Sequence, residues 1–183
     1  MSLMTVNQYA GLGASNTPDD VLCLMNDIGC QLSLKNVILR SNAKKGAASA
    51  FEAGCNSAYP ERKQIFLPFE GFNSRSVNEP CVHIGDMKLA SNIASRYNRR
   101  WRYLKVIERK IVAATTFQIL GQDTRSVVRF LICWTGDGSL DGRKSSGGTT
   151  GQALRIATTY NVPIYNLYRD EHRQIVEQFL KKS

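Results

Sequence analysis

FLICWTGDGSLDGRKSSGGTTGQALRIA, residues 130–157, is the stretch on which the fold turns. It opens with the apolar run Phe130 to Trp134, passes through a polar, glycine-rich segment, and closes on apolar residues at helical spacing. A continuous apolar run without alternation reads as a strand covered on both faces, and such strands belong to parallel sheets. A parallel strand needs a long crossover to reach its neighbour, usually through a helix. The stretch therefore predicts a central strand over 127–134, a loop over 135–148 and a helix over 149–160.

The same alternation extends in both directions. Upstream, Val6 to Tyr9 reads as a strand running into Gly11-Leu12-Gly13. Thr17-Pro18-Asp19-Asp20 then starts a helix, with Thr17 as the cap, proline at the first helical position and acids in the first turn. Val21, Leu24, Met25, Ile28 and Leu32 keep helical spacing to about Leu34. A strand over 36–40, a small-residue helix over 46–58 and a strand over 64–67 follow. Residues 70–80 are turn-rich and predict a surface excursion. Residues 87–120 read as mostly helical with a break near Trp101. A strand over 162–167 and an amphipathic helix over 171–180 complete the chain. Strands alternating with helices predict an α/β, Rossmann-like fold: a mostly parallel central sheet of five or six strands with helices on both faces. With 183 residues and no internal repeat, 1–183 reads as a single domain.

Composition bounds the function. Hydrophobic residues make up 43% and charged residues 21%, which is a globular rather than a disordered chain. No apolar run is long enough to span a membrane, and no basic stretch precedes an apolar core at the N-terminus, so neither a membrane partner nor a secretory leader is expected. Five cysteines without a CxxC pair predict free thiols in a reducing, cytoplasmic setting. Two histidines and no tight ligand spacing predict no metal site and no cofactor. The net charge is +9, and it is concentrated: residues 96–110 hold seven cations against Glu108 alone. Such a patch suits an anionic partner or a solvated helix face.

Two glycine-rich turns carry the chemical signal. At 11–15, Gly11 and Gly13 let the backbone turn and approach a ligand beside Ser15, ahead of a helix N-terminus that offers free N–H groups. At 147–150, Gly147 and Gly148 expose backbone N–H groups at a helix start, and Thr149 and Thr150 add hydroxyls. Phosphate could be held there without a charged side chain, and the crevice of an open α/β sheet lies at this edge. The P-loop ending is absent. Both turns also fit glycine required only for packing. Trp134, at a strand end beside the second turn, fits either a core position or the flank of a base. In RYNRRWRY, residues 96–103, Arg99, Arg100 and Arg102 could meet phosphates, while Tyr97, Trp101 and Tyr103 could stack on unpaired bases.

YAGLGASNTPDD, LRSNAKKGAASAFEAGC, IFLPFEGFN, FQILG, FLICWTGDG, GGTTGQALRIA and VPIYNL occur in this order along nearly the whole chain. Together they resemble the SLOG superfamily of DprA-like and lonely-guy-like Rossmann-like proteins, most closely its small subfamily common in tailed phages. The resemblance implies nucleotide or nucleic-acid binding and a homodimer. The phosphate cradle is expected at Gly11, Gly13, Ser41, Gly147, Gly148 and Thr149, within a nucleotide site that also takes in Ser15, Asn42, Trp134 and Thr150. Departures fall on polar positions. The family pattern has Arg at Ser15, Gly-Gly at Asn42-Ala43, Asp at Ala48 and Arg-Asn at Ala114-Thr115. The lonely-guy glycosidases place a glutamate after the glycine motif, where this chain has Gln152 and Ala153, neither of which serves as a general acid or base. Glu52 is the acid in a matched motif expected to reach the site, and Asp137 and Asp141, in the loop after the strand, are the remaining candidates.

Three functional expectations follow. The leading one is a nucleotide-binding protein without catalysis, whose partner is a nucleotide or a nucleotide-derived small molecule. The second is a single-stranded DNA binder using Arg99, Arg100, Trp101 and Arg102. The third is a nucleoside 5′-monophosphate glycosidase in which Glu52 assists the oxocarbenium-like transition state.

Overall fold

The computed structural model describes residues 7–143 and 148–181. Six strands form one sheet in the order β4-β3-β2-β1-β5-β6: β1 Gln8–Gly13, β2 Ile38–Ser41, β3 Lys63–Phe66, β4 Val82–His83, β5 Phe130–Trp134 and β6 Ile164–Asn166. Every pairing is parallel. The helices are α1 Asp19–Leu34, α2 Ala47–Ala58, α3 Met87–Tyr97, α4 Val106–Leu120, α5 Thr149–Thr159 and α6 Asp170–Lys181. This is the α/β, Rossmann-like architecture that the apolar run of β5 predicts. Among the described residues no helix is long and apolar enough to cross a membrane.

Side chains alternate across the sheet as strand geometry requires. Tyr9, Leu39, Ile132 and Trp134 meet α1, α2 and α6 on one face, while Ala10, Leu12, Leu131 and Cys133 pack on the other face with residues of α4 and α5. Each layer buries apolar surface that the bare sheet would expose, the dominant favourable term in folding. Winding runs outward from β1 in two directions, through β2 to β4 on one side and through β5 to β6 on the other. The reversal lies between β1 and β5, and a crevice opens at the carboxyl ends of these strands.

Three boundaries differ from the sequence reading, and the break expected near Trp101 is present. Thr17 does not cap α1. Its hydroxyl donates to the Ala14 carbonyl at 2.7 Å, and Pro18 occupies the cap position without a side-chain bond. The short strand β4 has no counterpart in the sequence reading, because two residues carry no period. The break near Trp101 is a 3-10 turn over Trp101–Tyr103, separating α3 from α4. β1 starts at Gln8 and continues through Gly13, so the glycines expected to form a turn belong to the strand.

Helices α1 and α2 cross at two glycines. A Cβ added to Gly54 would overlap the Asn26 carbonyl, and one added to Gly29 would overlap the Phe51 carbonyl. Backbone cannot yield as a flexible side chain can. Overpacking costs about 1–3 kcal/mol, against a gain of about 1 kcal/mol in helix propensity for replacing Gly with Ala. With the added Cβ 1.9 Å from a backbone oxygen the cost lies at the upper end, about 3 kcal/mol, and Gly54→Ala should lower the melting temperature followed by circular dichroism by roughly 4–8 °C. An unchanged or higher value would contradict this packing.

Candidate functional site

The crevice is a cleft of about 700 Å³ at the ends of β1 and β5. Its floor is Gly13, Ala14 and Ser15 after β1, with Thr135, Gly136 and Asp137 after β5. One wall is the first turn of α5, from Gly148 to Gly151, and the other comes from Arg100, Leu104, Glu108, Ile111 and Val112. Lys44, in the loop between β2 and α2, completes the lining.

Local sequence explains the positions. Gly148 takes the cap position of α5 with φ −74° and ψ 169°, so the N–H groups of the first turn have no intrahelical acceptor. No acid occupies that turn, whereas α1 carries Asp19 and Asp20 in its own first turn. Of the two glycine-rich turns, only the second leaves its positive helix end without a neighbouring carboxylate of its own. Thr150 donates to the Gly13 carbonyl at 3.0 Å and ties α5 to β1. The loop after β5 is held by Asn166, whose amide nitrogen donates to the Thr135 hydroxyl at 2.7 Å and the Ser139 carbonyl at 2.8 Å.

Lys44 is the cation that the sequence reading did not select. Its ammonium donates to the Thr149 hydroxyl at 3.1 Å, directly at the start of α5. Burial pushes its pKa below the usual lysine value. Two acids share the cleft, and both are engaged as acceptors from backbone donors. Glu108 accepts from the Lys105 N–H at 2.7 Å, and Asp137 accepts from the Ser139 N–H at 3.0 Å.

The structure brings Gly13, Ser15, Gly148, Thr149 and Thr150 together at the cleft. Gly147 lies outside the described residues. Asn42 lines a smaller cavity behind the cleft, and its side chain accepts from the Lys44 N–H at 2.9 Å. Three expected positions face elsewhere. Gly11 is packed, since a Cβ there would lie 2.7 Å from the Phe51 ring. Ser41 is fully buried and donates to the Gly11 carbonyl at 2.9 Å, joining β2 to β1. Trp134 is 8% exposed, belongs to the core and packs beside Tyr168.

Glu52 does not reach the cleft. It is buried in α2, where its carboxylate meets Lys63 at 2.9 Å and Arg75 through two bonds of 2.9 and 3.0 Å. Both of its oxygens are committed to cations, so it is an ion-pair residue rather than a proton donor. The basic segment also divides. Arg100 lines the cleft, while Arg99 donates to the Arg143 carbonyl at 3.1 Å and Arg102 is exposed. Trp101 packs against the cluster between α3 and α4, with the Arg109 guanidinium 5.6 Å from its ring centre. Tyr97 packs beside the core, leaving Tyr103, 83% exposed, as the open ring of the three.

Among the described residues no group of three metal-ligating side chains is assembled. Comparison with protein-family models, curated proteins and solved structures finds no match for this chain. Fold and cleft define its class as Rossmann-like α/β, with the crevice at the reversal of the sheet.

The Glu52 cluster sets an acid limit on stability. Burial would raise the Glu52 pKa, but hydrogen bonds from Arg75 and Lys63 outweigh it and hold the carboxyl below its usual 4.5. A depressed folded pKa contributes stability above the unfolded value and loses it as pH falls through the folded one. Glu52→Gln should cost ~3 kcal/mol at neutral pH by leaving buried Lys63 without its carboxylate and Arg75 with Glu79 alone. That deficit should shrink below about pH 4.5. Urea unfolding of both proteins from pH 7 to pH 3 measures it. The difference between them removes the contribution of Asp123, whose carboxyl is also depressed but shares no partner with Glu52, whereas Glu79 shares Arg75 and titrates within the same cluster.

Proposed function

We propose that the cleft binds the phosphate of a nucleotide and that the protein acts by binding rather than by catalysis. The observation that carries this reading is the unneutralised start of α5 facing a cleft that also holds Lys44 and Arg100. Free N–H groups, the helix dipole and Lys44 meet at one wall, Arg100 lines the facing wall, and Glu108 and Asp137 share the lining. A volume of about 700 Å³ suits a ligand of nucleotide size. The likeness of the glycine-rich motifs to the SLOG pattern supports a nucleotide over other phosphate esters. Glu52, held by Lys63 and Arg75 away from the cleft, speaks against the glycosidic cleavage that would depend on it. The packing of Trp101 and Tyr97 leaves too little stacking surface to favour single-stranded DNA.

Isothermal titration with nucleoside monophosphates, inorganic phosphate and an oligothymidylate tests this reading across a salt series. A nucleotide site should bind a monophosphate with a shallow salt dependence. A steep loss of oligonucleotide affinity with salt would favour the nucleic-acid reading. Release of free base from any monophosphate would establish catalysis.

Gly148→Asp separates binding from folding. Backbone angles at Gly148 suit any residue, and aspartate is a favoured cap, so the melting temperature should hold or rise. The new carboxylate would stand where phosphate belongs, and monophosphate binding should be lost. Normal binding by this variant would place the cradle elsewhere.

Lys44 adds a pH signature. Its ammonium form attracts phosphate, and its pKa lies below the usual 10.5. Affinity should therefore fall as pH rises from 8 towards 10, where the phosphate stays dianionic. Lys44→Gln should weaken binding roughly tenfold to a hundredfold, as expected for a hydrogen bond to a charged group, and should remove this fall. A wild-type affinity that stays flat over the range would exclude Lys44 from the site.

A further inference from the structure

Behind the cleft lies an annex of about 40 Å³. Gly13, Ser15, Lys44, Thr149 and Thr150 line both spaces, so the annex opens beside the same helix start that faces the cleft. Gln118 of α4 lines it from below. This side chain is 0% exposed, and neither its amide nitrogen nor its amide oxygen has a hydrogen-bond partner among the described residues. Two neighbouring polar side chains of the wall are engaged. Asn42 accepts from the Lys44 N–H, and the Thr115 hydroxyl donates to the Val112 carbonyl and accepts from Gln152 at 3.2 Å.

Burying an amide with both ends unpaired is costly, and native interiors pair nearly all such groups. An apolar side chain of the same length would avoid that cost. We infer that Gln118 is a specificity-determining residue whose amide receives a sugar hydroxyl of the ligand that the cleft holds by its phosphate. This inference rests on the phosphate-binding reading of the cleft. Size selects the group: an annex of about 40 Å³ accepts a hydroxyl or two, whereas a nucleobase is far larger. Chemistry agrees, because a hydroxyl both donates and accepts, matching the amide oxygen and nitrogen together. Position agrees as well, because only a group within one sugar ring of the phosphate can enter a space that shares its walls with the phosphate cradle.

The test uses adenosine 5′-monophosphate, its 2′-deoxy and 3′-deoxy analogues, and ribose 5-phosphate against 2-deoxyribose 5-phosphate. Titrations are run on the wild type, Gln118→Leu and Gln118→Met. The wild type should bind the ribo compounds roughly tenfold more tightly than at least one deoxy analogue, the worth of about one hydrogen bond. Both variants should bind every adenosine probe at the weaker affinity and melt no lower than the wild type, since the replaced amide has no partner in the fold to lose. Equal binding of all probes by the wild type would overturn the hydroxyl subsite and leave the phosphate cradle standing. Discrimination that survives in both variants would also overturn it, as would melting several degrees lower with discrimination intact. Failure of every probe, inorganic phosphate included, would overturn the cradle and this inference with it.

Discussion

The crevice depends on how closely other elements approach Gly13. This residue ends β1 in register with Trp134 of β5, and the next N–H, from Ala14, donates to the Trp134 carbonyl at 3.1 Å. A Cβ at Gly13 would stand 2.6 Å from the Ala47 Cβ and 3.0 Å from the Thr17 hydroxyl. Its carbonyl accepts from Thr150. The approach to α1, the start of α2 and the start of α5 therefore meet at one position without a side chain. A larger residue would push α2 outward and carry the Lys44 loop with it. The hydrogen bond from Thr150 joins residues 137 apart in sequence, so it forms only once β5 has paired with β1, while Lys44 is brought in from the other winding direction. The site is a product of the finished fold rather than of a local motif.

That distinction explains what the sequence could reveal. Strand and helix identity were legible because burial imposes periods of two and near 3.6, and Phe130–Trp134 stood out as doubly covered. Glycine chemistry was ambiguous because Gly11 and Gly13 are required for different reasons: one yields to the Phe51 ring, and the other forms the cleft floor. Ser41 and Trp134 carry suitable chemistry at strand ends, yet the first spends its hydroxyl on β1 and the second fills the core. Glu52 looked available because its partners, Lys63 and Arg75, lie 11 and 23 residues away, beyond any local pattern. Lys44 was hidden in a short basic loop whose proximity to Thr149 depends on the sheet order.

The positive charge of the chain resolves into separate tasks. Lys63 and Arg75 neutralise Glu52, and buried Arg40 bonds Gln64 at 2.9 Å and the Ser126 carbonyl while packing beneath Gly121. Burial brings the Arg40 pKa down to about 10, with Asp123 opposing the shift, so the guanidinium remains charged at neutral pH. Arg155 reaches the Gly142 carbonyl at 2.8 Å and braces the loop that leads to α5. What remains for an external anion in the cleft is Lys44 and Arg100, set against Glu108 and Asp137. Such a near balance favours a small anion held by directed hydrogen bonds, because a polyanion gains most from a broad surplus of cations.

Helix α4 shows where folding and function diverge. From Val112 to Leu120 every residue is buried, and a helix in that position reads most simply as apolar on all sides. It carries Thr115, Thr116 and Gln118 instead, and the Thr116 hydroxyl and both ends of the Gln118 amide lack partners among the described residues. Neighbouring Gln152 differs in one half of its amide: the nitrogen donates to Val112 and Thr115 and fastens α5 to α4, while the oxygen also lacks a partner among the described residues. One buried glutamine is used by the fold, and the other faces a cavity that adjoins the cleft. Violations of local economy gather where a sequence serves a ligand as well as a core. The visible signal was a polar residue inside FQILG, in the half of the helix that the fold buries on every side, whereas its first turn at Val106 and Ile107 is exposed.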